Sequence, residues 1–118
     1  AVAMIGKVKQ LVQYNSVSLA ASAYEDLQNQ KFDVVINATS TGLSDASLPI
    51  PNTLFADGSL AYDMMYGRET PFMAQAREAG ATVADGLGML VEQAAEAFFI
   101  WRGVRPETAS VMQKIRVQ

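Results

Sequence analysis

The chain has 118 residues, of which 50% are hydrophobic and 18% are charged, and its formal net charge is −3. This length suits a single small domain, 1–118, with a modest core. The chain contains neither cysteine nor histidine, which excludes disulfides, Cys/His zinc sites and Ser-His-Asp hydrolysis. Proton transfer would therefore fall to Asp, Glu, Lys or Tyr. The chain has no basic stripe of the kind that binds nucleic acids. Its four lysines are scattered along the sequence: Lys7, Lys9, Lys31 and Lys114.

Neither a membrane-spanning run nor the layout of a signal peptide is recognisable in these 118 residues. No apolar run approaches the roughly 20 residues that cross a bilayer, and the first residues lack the layout of a signal peptide. The absence of cysteine is compatible with a reducing compartment, so we expect a cytoplasmic protein that does not associate with membranes. The chain opens within a predicted amphipathic helix at 2–13. An opening inside a helix suggests a piece of a longer protein.

Strands and helices alternate along the rest of the chain. The clearest strand is FDVVIN, residues 32–37, a continuous apolar run typical of a strand covered on both faces. This alternation predicts an α/β fold with a parallel sheet and flanking helices. The other predicted elements are a strand at 17–21, a short helix at 23–30, a loop at 38–52 followed by a turn of helix, strands at 59–64 and 81–85, a helix between Thr70 and Gly80, a long helix ended by Gly103 and a last helix opened by Pro106.

Three polar or glycine-containing stretches follow predicted strands of the sheet. NATSTG ends the strand at 32–37, DMMYG ends the strand at 59–64, and DGLGM ends the strand at 81–85. In parallel α/β sheets, ligands bind outside the carboxyl ends of the strands. The three stretches therefore predict one site at that edge of the sheet.

The first and third of these stretches allow two interpretations each. Ala38 and Thr39 would let a flat ligand approach and form hydrogen bonds, but an ordinary polar turn explains them more simply. In GLGM, 86–89, the third glycine of a dinucleotide fingerprint would fall at Val91. A tight turn into a helix is the better interpretation there. Gly86 would still let the backbone pass close to a neighbouring group.

The second stretch supplies soft and amphipathic side chains. Met64 and Met65, together with Met89, could form a deformable wall against a planar ring, although methionines more commonly fill gaps in a core. Tyr66 carries a hydroxyl on an apolar body, which suits it to hold the polar group of a ligand. Asp63, at the strand end, could equally cap a neighbouring turn.

Gln93 lies one helical turn after Met89, so the two side chains share a face of the long helix. This helix is apolar almost all the way round, and Glu92 and Glu96 form its predicted solvent-facing stripe. Gln93 lies at the margin of that stripe. It is either half exposed or directed at a polar ligand, and the residues alone leave both interpretations open.

Three longer motifs resemble the carboxyl-terminal half of shikimate dehydrogenase. They occur in the family's order between about residue 32 and about residue 106: FDVVINATSTGL, AYDMMYGRETPFMAQAREAG and ADGLGMLVEQAAEAFFIWRGVRP. The segment 1–31 fits the family only loosely. The resemblance implies a partial Rossmann-like, doubly wound parallel sheet with closing carboxyl-terminal helices. It also implies the reduction of 3-dehydroshikimate to shikimate with NADPH, on the route to aromatic amino acids.

The resemblance assigns roles to the residues already singled out. It implies a group beside the nicotinamide end of NADP, consisting of Ala38, Thr39, Met64, Gly86 and Met89. It implies that two further residues reach the hydroxyls or the carboxylate of the substrate, namely Tyr66 and Gln93.

Other parts of the family pattern have no counterpart in this chain. They are a lysine–aspartate pair for proton chemistry in an amino-terminal domain, a glycine-rich diphosphate loop and an Asn-Arg-Thr signature for the 2′-phosphate. We therefore expect no catalytic residue here and no activity of the chain alone. The chain therefore resembles the second half of an NADP-binding domain, followed by closing helices. A relative that prefers quinate and a non-catalytic binding module of the same fold stay open as alternatives.

The missing part of the sheet has a physical consequence. A doubly wound sheet ordered 3-2-1-4-5-6 would lack its strands 1 and 2, which would leave the strand at 32–37 with an unpaired apolar edge. Such edges pair readily with other chains. We expect either that the strand at 17–21 moves beside 32–37 or that two copies associate along this edge.

Overall fold

The computed structural model describes residues 18–41, 44 and 46–116. The predicted helix at 2–13 lies outside these residues. Three strands and three α-helices follow one another along the described part: β1 (Phe32–Asn37), β2 (Phe55–Asp63), α1 (Pro71–Glu78), β3 (Thr82–Ala84), α2 (Leu87–Arg102) and α3 (Ala109–Arg116). Two short 3₁₀ helices precede β1 and β2, at Glu25–Leu27 and Asn52–Leu54.

The three strands form a parallel sheet in the order β1-β2-β3. Val34 lies opposite Leu60, and Asn37 lies opposite Asp63, so β1 and β2 end at the same level. Leu60 also lies opposite Thr82 of β3. The predicted α/β fold with a parallel sheet is confirmed, and β1 has the predicted bounds.

Strand β2 begins earlier than predicted. Phe32 pairs with Phe55, but the next pair joins Val34 to Leu60, so β2 carries extra residues within this stretch. Gly58 adopts φ +73° there, a conformation that glycine reaches without steric cost. The sequence ADGS resembles a turn, and the irregular pairing explains why this part of a strand was not recognised.

One face of the sheet carries the core. Residues on the same side of neighbouring strands pack together because side chains alternate along each strand. Ala61 is fully buried on this side, and Phe72 of α1 is 2% exposed. The rings of Phe55 and Phe72 lie 6.0 Å apart between their centroids. The buried cluster consists of Leu48, Phe55, Ala61, Phe72, Ala76 and Ala81.

The opposite face is open in the part of the chain that the structure describes. Val34 and Ile36 of β1 are 53% and 61% exposed, so the expectation that this strand is covered on both faces is wrong for the described residues. Residues 18–21 form no strand, which corrects the strand predicted at 17–21 over that range. They therefore provide no partner for β1, which lies at an edge of the sheet.

Local signals at the helix ends act as predicted in α1 and α2. The Thr70 side chain accepts a hydrogen bond from the Met73 N–H at 3.3 Å, which satisfies one of the free donors of the first turn of α1. Pro71 occupies the first helical position. Helix α2 ends at Gly103, whose φ of 69° is left-handed, the usual conformation just after a helix.

Helix α3 begins at Ala109 rather than at Pro106. The Glu107 carboxylate accepts hydrogen bonds from the Ala109 N–H at 2.6 Å and from the Ser110 hydroxyl at 2.5 Å. The Glu107 carboxylate thereby acts as the capping side chain, and the first turn of the helix begins after it. The hydrogen bond from the Ser110 side chain, followed by the backbone N–H groups of Ser110 and Ala109, lowers the pKa of Glu107 below its ordinary value.

None of the helices within the described ranges is both long enough and apolar enough to span a membrane.

The core assignment predicts a large effect of truncating Phe72. We expect Phe72→Ala to lower the free energy of unfolding by about 3–5 kcal/mol, because the lost ring leaves a cavity in a packed core. Phe98→Ala is the matched control, since Phe98 is 46% exposed, and it should cost about 1 kcal/mol or less. Urea titration of both variants measures the difference. Equal losses would contradict the proposed location of the core.

Candidate functional site

Hydrogen bonds join the three segments that follow the strands. The Met64 N–H, just after β2, donates to the Asn37 carbonyl at the end of β1 at 3.1 Å. The Gly86 N–H, just after β3, donates to the Met65 carbonyl at 2.8 Å. The structure thus brings the three predicted stretches together into one continuous rim at the carboxyl edge of the sheet.

A buried polar network lies beneath this rim. Asp63 is fully buried and Asn37 is 3% exposed. The Asp63 carboxylate accepts hydrogen bonds from Asn37 Nδ2 at 3.1 Å, from the Met65 N–H at 2.9 Å and from Thr70 Oγ1 at 2.5 Å. Asp63 therefore caps the turn that follows it, as the sequence suggested, and also connects β1 with the start of α1.

Thr39 is turned toward the protein rather than toward a ligand. Its N–H and its hydroxyl both donate to Asn37 Oδ1, at 3.1 and 2.7 Å. Its hydroxyl oxygen also lies 2.7 Å from Thr41 Oγ1. Ala38 and Thr39 are both exposed, but the N–H and hydroxyl of Thr39 are used within the loop.

Gly86 permits a close approach within the protein itself. A Cβ atom at this position would lie 2.2 Å from the Met64 carbonyl oxygen and 2.7 Å from its carbonyl carbon. No side chain fits at such distances, so the glycine is required for the turn after β3 to pack against the loop after β2. The expected close contact is present, and the neighbour is the backbone of Met64.

The side chains on the outer surface of the rim are exposed and mostly apolar. Met64 is 42% exposed, Met89 is 37% exposed and Tyr66 is 46% exposed. Filling a gap in the core is therefore excluded as the role of these three side chains within the described structure. Met65 is partly buried.

Tyr66 opens onto a cleft of about 560 Å³. Charged side chains at this cleft form ion pairs, Arg77 with Glu69 at 2.9 Å and Arg116 with Asp85 at 3.8 Å. The remaining lining is formed mainly by apolar and small residues, including Met73, Val83, Ala84 and Leu87.

Gln93 is exposed on α2, one turn beyond Met89. Gln93 is the seventh residue after Gly86, so it lies about 10 Å along the helix axis from the rim. Gln93 therefore lies beyond the rim along α2, on the same helix as Met89. The exposure of Gln93 is compatible with both alternatives, a solvent-facing side chain and one directed at a polar ligand.

Two residues of the network, Asn37 and Thr70, were not recognised as partners from the sequence. The only available signals were an asparagine as the last residue of a strand and an aspartate as the last residue of the next. In a parallel sheet these two positions meet when the strands end at the same level. Thr70 was predicted to cap α1, but its bond to Asp63 depends on the loop between them.

The parallel sheet with its loops gathered at the carboxyl edge defines a Rossmann-like α/β protein. Residues 86–116 match the family profile of the shikimate 5′-dehydrogenase C-terminal domain. The chain is 64% identical over 106 residues to the NADP(+) shikimate dehydrogenase of Methylobacillus flagellatus, an alignment that covers 89% of this chain and 39% of that protein. The chain is therefore a homologue of the carboxyl-terminal part of shikimate dehydrogenases, and the resemblance is confirmed.

Solved structures support the same fold assignment. An Ael1 enzyme from Pseudomonas putida is 52% identical with a TM-score of 0.72, and the match covers 80% of this chain and 35% of that one. Shikimate dehydrogenase from Aquifex aeolicus is 30% identical with a TM-score of 0.69, and the match covers 95% of this chain and 41% of that one. The chain thus spans about two fifths of the length of such proteins.

The contact at Gly86 generates a testable prediction. We expect Gly86→Ala to lower the free energy of unfolding by about 1–3 kcal/mol, because the methyl group must push the turn away from Met64. Gly88→Ala is the matched control. A Cβ atom at Gly88 meets nothing within 4 Å, and its helical position should make alanine neutral or stabilising by up to about 1 kcal/mol. Chemical denaturation of both variants tests the contrast, and equal effects would contradict it.

Proposed function

We propose that this chain forms the nicotinamide side of the cofactor pocket, and part of the substrate pocket, of an NADP-dependent shikimate dehydrogenase. The observation that carries the proposal is the rim at which the loops after β1, β2 and β3 are joined by hydrogen bonds. In the proposed domain arrangement, 1–118 is the second half of an NADP-binding domain with closing helices. The name of the relative with 64% identity gives the reaction class.

The chemistry of the rim fits one face of a nicotinamide ring. Met64 and Met89 expose thioethers, which are polarisable and pack well on planar rings. Ala38 presents no bulky side chain beside them. Bound NADPH would supply the hydride, and these residues would hold the ring and exclude water from one side. Gly86 would contribute indirectly, because it lets the loop that carries Met64 lie against the start of α2.

Tyr66 and Gln93 are the proposed substrate contacts. Tyr66 exposes its ring at the cleft beside the rim, where its hydroxyl can donate a hydrogen bond to a carboxylate or exchange one with a substrate hydroxyl. Gln93 lies farther along α2 and offers both an amide donor and a carbonyl acceptor. A polyhydroxylated acid such as shikimate contains acceptors and donors for both.

The chain alone should not reduce 3-dehydroshikimate. The sequence contains no histidine or cysteine, and the lysine–aspartate pair that the resemblance implies belongs to a domain without a counterpart here. The phosphate-anchoring loop is also without a counterpart, so affinity for NADPH should be low. Substrate choice between shikimate and quinate would depend on that other domain as well.

A chimera tests the proposed function directly. We expect this chain to restore NADPH-dependent reduction of 3-dehydroshikimate when it replaces the corresponding segment of the Methylobacillus flagellatus enzyme, while the isolated chain stays inactive. Within the active chimera, Tyr66→Phe should raise KM for the substrate roughly tenfold or more, the usual effect of losing a hydrogen bond to a charged group. NADPH oxidation at varied substrate concentrations measures both.

Tyr62→Phe is the matched control, because Tyr62 lies within β2 opposite Ile36, on the face of the sheet opposite to that of Asp63. It should leave KM unchanged. An inactive but folded chimera would favour a non-catalytic binding module. A chimera that turns over quinate faster than shikimate would favour the quinate branch, and turnover by the isolated chain would contradict the division of labour proposed here.

The open edge of β1 suggests association between two copies of the chain. The Asn37 carbonyl points toward β2, because it accepts from the Met64 N–H, so the alternating backbone groups of Val34 and Ile36 point to the open edge. Exposed apolar side chains lie along the same strand. An unpaired strand of this kind can pair with the same strand of a second copy.

Val34→Pro tests this association, because proline removes an outward N–H without removing a bond to β2. We expect the unmodified chain to form dimers at high concentration and the proline variant to remain a folded monomer. Val34→Thr keeps the N–H and the strand propensity, so it should still dimerise. Light scattering distinguishes these outcomes. A monomeric unmodified chain whose Val34 and Ile36 amides exchange freely would exclude the interface.

A cytoplasmic location remains a prediction, consistent with a chain that contains no cysteine. Fractionation of cells that express the full-length protein would test it.

A further inference from the structure

Asp63 is a fully buried carboxylate to which the proposed chemistry assigns no role. The donors that surround it come from three separate elements: Asn37 Nδ2 from β1, the Met65 N–H from the loop after β2, and Thr70 Oγ1 from the cap of α1. All three donors are uncharged. A buried carboxylate needs such hydrogen bonds to replace the water it has lost.

Two of these donors, Asn37 and Met65, are connected in turn to further segments of the rim. Asn37 also accepts the N–H and hydroxyl of Thr39 through Oδ1, so its orientation sets the position of the loop after β1. Met65 accepts the Gly86 N–H at 2.8 Å through its carbonyl, so its position sets the turn after β3. All three loops of the rim are therefore linked to one carboxylate.

We propose that Asp63 is a positioning residue for cofactor binding: by accepting these three hydrogen bonds, its carboxylate holds the loops after β1, β2 and β3 in the arrangement that receives the nicotinamide. This inference rests on the proposed function, because it concerns the same rim. Asp63 itself touches neither cofactor nor substrate. It acts through Asn37 and Met65, whose neighbours Ala38 and Met64 form the outer surface.

Asp63→Asn changes the network without changing the shape of the side chain. One carboxylate oxygen serves Met65, and the other serves both Asn37 and Thr70. An amide supplies one acceptor and one NH₂ group. In either orientation of the amide, its NH₂ group faces either the Met65 N–H or the Asn37 NH₂ group. Two donors cannot form a hydrogen bond with each other. One of the two links to the rim is therefore lost.

Hydrogen exchange of the full chain measures the loops independently of catalysis. In Asp63→Asn, we expect the amides of Met65, Thr39 and Gly86 to exchange roughly tenfold faster or more, relative to the amides of Leu60 and Ala61, which lie farther inside β2. A merely structural role would accelerate all five amides by one common factor. That uniform result would overturn the proposal.

Kinetics of the chimera provide the second measurement. We expect Asp63→Asn to raise KM for NADPH roughly tenfold or more while kcat changes less. The displaced loops bind the cofactor, whereas the residues proposed to transfer the proton belong to another domain. Unchanged KM for NADPH in a folded variant would overturn the proposal. If the unmodified chimera binds no NADPH, the proposed function fails, and the assignment of Asp63 to cofactor binding fails with it. Hydrogen exchange would then decide only whether Asp63 orders the loops.

Two further variants complete the design. The exchange Asn37→Asp with Asp63→Asn restores complementary groups between the two positions, and we expect it to recover much of the loop protection and of the KM for NADPH. Ser59→Ala is the matched control, because Ser59 is 2% exposed on the same strand and its hydroxyl has no hydrogen-bond partner in the described structure. It should change neither measurement.

Asn37→Ser serves if Asp63→Asn does not fold. It removes the link between Asp63 and the loop after β1 but keeps the bonds of Asp63 to Met65 and Thr70. Faster exchange confined to Thr39, with a raised KM for NADPH in the chimera, supports the proposal. Unaltered exchange at Thr39 contradicts it.

Discussion

The arrangement of the rim depends on the need to satisfy one buried negative charge. Asp63 ends the middle strand of the sheet, where no water reaches its carboxylate, and an unsatisfied carboxylate at such a site would strongly oppose folding. Its donors belong to β1, to the loop after β2 and to the cap of α1. These elements can satisfy the charge only when they occupy their observed positions. The satisfied carboxylate and the arrangement of the rim therefore depend on the same hydrogen bonds.

The same network explains why the outer surface of the rim is apolar. The polar groups of Thr39 and the Met65 N–H are directed inward, toward Asn37 and Asp63. What remains outside is mainly the side chains of Met64, Met89 and Tyr66. Small-molecule sites commonly combine an apolar lining with a few placed polar groups. In this chain the apolar lining results from the internal use of the polar groups, and the Tyr66 hydroxyl is one of the few polar groups left to recognise a ligand.

Local signals predicted much of the fold, and long-range contacts account for most of what they missed. The bounds of β1 followed from a continuous apolar run, and the cap of α1 followed from Thr70 and Pro71. The strand predicted at 17–21 does not form over residues 18–21, because the apolar residues there find no sheet partner in the described structure. The gathering of the three loops followed from a topological rule. The inward orientation of Thr39 did not, because Thr39 bonds to the Asn37 side chain, which in turn bonds to Asp63, 26 residues away in the chain.

The hydrogen-bond network around Asp63 lies on the face of the sheet that carries the packed core. Paired residues of parallel strands share a face, so Asn37 and Asp63 lie on the same side as Ala61, toward α1 and the packed core. Val34 and Ile36 lie on the opposite side, which is open in the described structure. The bonds that hold the rim are therefore anchored in the half of the sheet that has its own core. Whatever covers the open face contacts other side chains, so the hydrogen bonds that hold the rim lie on the side of the sheet away from that cover.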